Sequence, residues 1–138
     1  MSIVYSKGDL INPNTGEVVG KIRPTIYISG PMFSQGHLIE NIRMASLTAK
    51  VAYNRGWAPV TPHYDILGQL VTGELSADMY LDIDLSILAT CKALVAVRRD
   101  WDAYTRDGVK TGTQREVELA ESLGIPVYLT SREIPWLN

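Results

Sequence analysis

"TIYISGPMFSQGHLIENIRMASLTAKVAYNRGWAPVTP" (25–62) decides the fold. It opens on a run rich in β-branched and aromatic side chains, "TIYIS" (25–29), closed by Gly30, and ends on a second β-type run, "APVTP" (58–62). Between them Leu38, Ile42, Ala45, Ala49 and Ala52 recur at spacings of 4, 3, 4 and 3, which is one face of an α-helix. We place that helix at roughly His37 to Arg55, with Gly56 just past its end. Strand, helix and strand in this order form the βαβ unit of a parallel sheet.

The pattern continues. "ALVAV" (93–97) and "PVYLT" (126–130) read as further strands, and their near-continuous apolar character suits a parallel sheet covered on both faces. Helices are expected from about Ala77 to Cys91 and from about Gln114 to Leu123, the latter ended by Gly124, with room for a short helical turn in "YDILGQLVTGEL" (64–75). Residues 1–24 differ: "SIVYS" and "EVVGKI" flank the turn-rich "GDLINPNTG", which reads as an N-terminal hairpin or edge appendage. The expectation is a single α/β domain over residues 1–138. Its fold would be a Rossmann/flavodoxin-like three-layer sandwich with a mostly parallel four- to five-stranded sheet.

Composition narrows the partners. Hydrophobic residues make up 46% and charged residues 20%, an ordinary globular balance. A net charge of -2 without a Lys/Arg run provides no field for a nucleic-acid polymer or an anionic membrane, so a small ligand is expected. Cys91 is the single cysteine and lies in an apolar run, so it reads as core in a reducing compartment. There is no apolar stretch of about 18 residues, and cytoplasmic residence is the expectation. His37 and His63 lie far apart without a ligand-spaced partner, so no metal is expected. Neither a Walker sequence nor Gly-x-Gly-x-x-Gly occurs, so the expected chemistry needs no cofactor.

In an open parallel sheet, ligands sit beyond the carboxyl ends of the strands, here "GPMFSQG" (30–36), "HYDILGQL" (63–70) and "RRDWDAYTRDGVKTGT" (98–113). The last of these leads into "TGTQREVELA" (111–120). Thr113 and Glu116 fit a capping box, in which the glutamate bonds back to the N-cap amide. With Glu116 at zero on a helical wheel, Leu123, Ala120, Leu119 and Val117 lie at about -20°, +40°, -60° and +100°. Glu118 and Glu121, at about 200° and 140°, face away. Glu116 therefore points inward, either as a cap or as a cleft carboxylate whose ionised form the helix N-terminus favours. In "DMYLDIDLSILATC" (78–91) the same geometry turns Asp84 towards Tyr80, Leu88 and Cys91, while Asp82 shares the direction of Ser86 and Ala89. Asp84 is the more buried candidate, either capping a loop amide or serving a site.

Together these pieces resemble the nucleoside 2-deoxyribosyltransferase-like superfamily, which includes nucleoside deoxyribosyltransferases and nucleoside 5'-monophosphate N-glycosidases. The resemblance spans about Thr25 to Thr130. It is carried by "YISGPMF" (27–33), "YLDIDLSIL" (80–88), "TGTQRE" (111–116) and "LGIPVYL" (123–129) in that order. It implies that Glu116 is a nucleophile attacking the anomeric carbon of a nucleoside or nucleotide, that Tyr27 orients it, and that Asp84 holds sugar hydroxyls or helps protonate the departing base. Water or a second nucleobase would then take the glycosyl group. Gly30, Pro31, Met32, Phe33, Trp101, Gly112 and Thr113 are the implied substrate-binding residues, with Phe33 and Trp101 placed to stack on the base. A homo-oligomer with a shared active site is implied as well. The chain departs from the pattern at Lys92, Lys110 and Thr111, where acidic residues are common, and at Phe33, where some monophosphate hydrolases carry arginine. Arg98, Arg99 and Arg106 are the remaining candidates to meet a phosphate. These departures keep open an alternative, a non-catalytic nucleotide-binding or sensing module of the same fold.

Overall fold

A computed structural model of the protein describes residues 4–6, 8–31, 38–65, 71, 73, 76–97, 105–106, 109–110 and 112–137. Three short strands come first, β1 (Val4–Ser6), β2 (Asp9–Ile11) and β3 (Val18–Lys21), paired antiparallel in the order β1-β2-β3. The appendage is thus a three-stranded meander with a ladder of its own. The expected two-strand reading missed β2, which lies inside "GDLINPNTG" and is too short to show a period between Gly8 and Asn12-Pro13. The turn after it is held by side chains: Asn12 Oδ1 accepts from the Asn14 amide and Thr15 Oγ1 from the Glu17 amide.

The main sheet contains β4 (Thr25–Ser29), β5 (Ala58–Val60), β6 (Ala93–Ala96) and β9 (Val127–Tyr128), all parallel, in the order β5-β4-β6-β9. Helix α1 (Leu38–Asn54) joins β4 to β5, α2 (Ala77–Leu88) precedes β6, and α3 (Gly112–Ser122) precedes β9. This is the expected α/β, Rossmann/flavodoxin-like sandwich, with four parallel strands among the described residues. The chain leaves β4 for one side and then crosses to the other. Right-handed crossovers then put α1 on one face and α2 and α3 on the opposite one.

The pleat of β4 assigns its side chains accordingly. Ile26 and Ile28 pack with Ala45, Ala49 and Ala52 of α1, with Ala93 and Val95 of β6, and with Ile134. Tyr27 faces the other way, among Leu88, Cys91, Leu94, Val117 and Ala120. All of β6 is buried, as the apolar run implied, whereas β5 and β9 at the two edges are only half-buried. Cys91 is core, 5% exposed.

Local chemistry sets the helix ends. Ser76 caps α2, its hydroxyl accepting from the Met79 amide. At the end of α1 the Gly56 amide bonds to Tyr53 O and the Trp57 amide to Ala52 O, the two bonds of a Schellman motif, with Gly56 at a φ of 101° that favours glycine. The same pair of bonds closes α3, from Gly124 to Glu121 and from Ile125 to Ala120. Leu123 therefore lies beyond the helix and is 52% exposed, not inward as the wheel placed it.

The final residues fold back under α1. Arg55 Nη1 donates to the carbonyls of Ser131, Arg132 and Ile134, Trp57 Nε1 to Pro135 O, and the Leu137 amide to Arg55 O. No described helix is long and apolar enough to cross a membrane.

Candidate active site

The strand order reverses between β4 and β6, so the crevice of a doubly wound sheet opens beyond their carboxyl ends. Ser29, the last residue of β4, pairs there with Ala96, the last residue of β6. A Cβ added to Gly30 would stand 2.8 Å from Val97 Cβ, closer than side chains tolerate. The structure thus gives Gly30 a packing reason: the two strands converge as they leave the sheet.

Over this edge α3 brings Glu116, only 7% exposed. Its Oε1 accepts a hydrogen bond from Ser29 Oγ at 3.0 Å, across 87 residues of sequence. The capping-box reading of Thr113 and Glu116 is revised on two counts. The helix begins at Gly112, so Thr113 lies inside its first turn, and the carboxylate bonds across to the sheet. Thr113 is itself buried, whereas Gly112 is exposed.

Tyr27, two residues before Ser29 on the same face of β4, is fully buried. Its hydroxyl is near enough to Glu116 for each to shift the other's proton affinity, yet it falls short of hydrogen-bond geometry and has no other partner. The pair is a near contact. Burial, then the charge of Glu116, hold the phenol well above its ordinary range, so it stays protonated and remains a donor.

Glu116 itself is pushed up to about 7, chiefly by burial and slightly by the charge of Asp84, against the opposing pull of Tyr27 and Ser29. Desolvation outweighs both hydroxyls, so burial opposes the ionised form that the helix N-terminus was expected to favour. Asp84, on α2, is half-buried while Asp82 is exposed, in the order expected. Burial raises its carboxyl to about 6, and Asp65 at the end of the 3-10 turn Pro62–Asp65 adds to the shift. Glu118 and Glu121 face solvent.

The structure therefore brings Tyr27 and Glu116 together at one edge of the sheet, with Asp84 near enough for its charge to act on both, Gly30 and Pro31 following β4, and Gly112 and Thr113 in the first turn of α3. Met32, Phe33 and Trp101 lie outside the described residues. So do Arg98, Arg99 and Thr111, while Lys92 is exposed just before β6. Within the loop after β6, Thr105–Arg106 (β7) and Val109–Lys110 (β8) form a small antiparallel ladder. In the sequence, Asp107-Gly108 between them is a two-residue hairpin signal.

Three participants went unnoticed in the sequence. Ser29 was legible in principle, since a period of two puts it on the face of Tyr27. Asp65 is one aspartate in a polar turn and carries no local signal. His63 is 2% exposed, with Nε2 3.2 Å from Pro31 O. A carbonyl only accepts, so Nε2 carries the proton and the buried, unpartnered Nδ1 is bare. Burial favours the neutral ring, against the pull of the Pro31 and Gly30 carbonyls, and the bond ties the 3-10 turn to Pro31 just after β4. Among the described residues no group of three or more His, Cys, Asp or Glu side chains is placed to hold a metal ion.

No protein-family model matches the chain, and no curated protein does. A crystal structure of a conserved protein from Enterococcus faecalis V583 superposes with a TM-score of 0.54 at 21% identity. The likeness is one of fold. It covers 76% of this chain but 61% of that protein, so the chain spans less than two thirds of the length of this neighbour.

Proposed function

We propose that the protein cleaves the N-glycosidic bond of a nucleoside or nucleoside 5'-monophosphate, as the resemblance to the nucleoside 2-deoxyribosyltransferase-like superfamily implies. The observation that carries this reading is the buried Glu116 carboxylate, bonded to Ser29 and set against Tyr27 at the switch point of the sheet. Ionised Glu116 attacks the anomeric carbon as the carbon–nitrogen bond breaks, and the base leaves with a proton. Asp84, raised to about 6, is suited to supply that proton or to hold the sugar hydroxyls. The glycosyl ester on Glu116 then passes its sugar to water or to a second nucleobase. The ligand is a small molecule and not a nucleic-acid polymer, the compartment is the cytoplasm, and a neighbouring copy completes the pocket.

The test is product analysis on ribo- and deoxyribonucleosides and their monophosphates, with and without an acceptor base. Free or exchanged base is expected from the native protein, and Glu116→Gln should lower its release by a factor of about 10³ or more while the protein stays folded. Unchanged turnover in folded Glu116→Gln would refute the role of Glu116. A second reading, the non-catalytic nucleotide-binding module, draws on the near-complete burial of Glu116, whose carboxyl keeps much of its proton at neutral pH. Saturable nucleotide binding without base release over long incubation decides for it. Light scattering reads the oligomeric state.

A further inference from the structure

We infer that Ser29 is the positioning residue of the site: its hydroxyl, fixed on the central strand, holds the Glu116 carboxylate in the orientation from which it reacts. The inference rests on the proposed role of Glu116 and deepens it.

Ser29 is completely buried and closes β4, which is hydrogen-bonded to β5 on one side and β6 on the other. Its Oγ is therefore anchored by a strand held on both sides, and Ser29 itself pairs with Ala96. Glu116, by contrast, stands on the first turn and a half of α3, at the end of a long connection, with three side-chain torsions to fix. The 3.0 Å bond from Ser29 Oγ to Oε1 removes that freedom and names the oxygen that is engaged. Tyr27 does not do this, because its hydroxyl falls short of bonding geometry. The resemblance assigns the orienting role to the tyrosine; the geometry gives the standing hydrogen bond to the serine.

A hydroxyl is also the right group for a carboxyl that changes charge. It donates to the carboxylate when Glu116 is ionised and accepts from the acid when Glu116 is protonated, so the side chain stays in register through the proton change. The bond to the ionised form is the stronger of the two, and its loss makes ionisation harder. Around Glu116 the groups that bear on its titration are Tyr27 and Ser29 from β4 and Asp84 from α2. Asp65 acts on Asp84, and Cys91 lies near Tyr27.

The experiment compares native protein, Ser29→Ala and Ser29→Cys, the last keeping the volume with a far weaker donor. Titration of carboxyl-labelled glutamate by NMR, with the Glu116 signal assigned by its loss in Glu116→Gln, reads the site without any need for turnover. Both Ser29 variants should titrate Glu116 at higher pH than the native protein. On whichever nucleoside is turned over, kcat should fall by about 10- to 100-fold, with KM little changed and the acid limb displaced upwards. A folded Ser29→Ala protein whose Glu116 titrates as in the native protein overturns the inference, whatever its activity. A shifted titration in a protein that cleaves no nucleoside leaves Ser29 as the anchor of Glu116 and refutes the proposed reaction instead.

Discussion

At Glu116 burial and hydrogen bonding pull in opposite directions, and burial wins. The carboxyl rises from its ordinary 4.5 to about 7, so in the folded protein it holds a proton that the unfolded chain gives up. Between those two values the native state binds more protons than the unfolded state, and stability falls as pH rises through the window. Above about 7 the loss is complete, at most about 3 kcal/mol for a shift of this size. Glu116→Gln, which cannot ionise, should melt at the same temperature as the native protein near pH 4.5 and above it at pH 8. Thermal melts across that range check the sign. The inward direction of Glu116 was legible from helical spacing alone, and so was the order of Asp84 and Asp82. The face of Ser29 was legible too, from the period of two, but its bond to Glu116 was not, because the two are 87 residues apart and only the crossing of β4 by α3 brings them together.

Among the elements, β4, α1 and β6 were readable because their apolar spacing is long and their ends are marked. Glycines stop α1 and α3 through paired backbone bonds, and Ser76 starts α2. The short strands were not readable, since β2 has three residues and β7 and β8 two each, too few to display a period. The start of α3 slipped for a different reason: a capping-box pattern and a glutamate turned to the sheet are the same letters. Convergence of β4 and β6 at Gly30 gives an element-level prediction. Gly30→Ala puts a methyl 2.8 Å from Val97 Cβ and has to wedge the strand ends apart, at a cost of about 1–3 kcal/mol in denaturant unfolding. The same displacement moves Ser29, so the Glu116 titration should shift in this variant too.

At the scale of the molecule, the sheet separates two rooms. On one side lie α1, the isoleucines of β4 and the C-terminal residues; on the other lie α2, α3 and the candidate site. Arg55 holds the first room closed by donating to three carbonyls of the C-terminal segment, and its guanidinium lies 5.1 Å from the centre of the Trp136 ring. Arg55→Ala should therefore lower stability by about 1–3 kcal/mol, read as a drop in melting temperature, while the Glu116 titration stays where it is. A site that moved with it would mean the two faces are coupled through the sheet. The strand that parts them, Thr25 to Ser29, alternates between two tasks residue by residue. Its even positions, Ile26 and Ile28, pack against α1, and its odd ones, Tyr27 and Ser29, face α3 and the candidate site. A substitution at an even position is therefore felt on the α1 face, and one at an odd position on the face that holds Glu116.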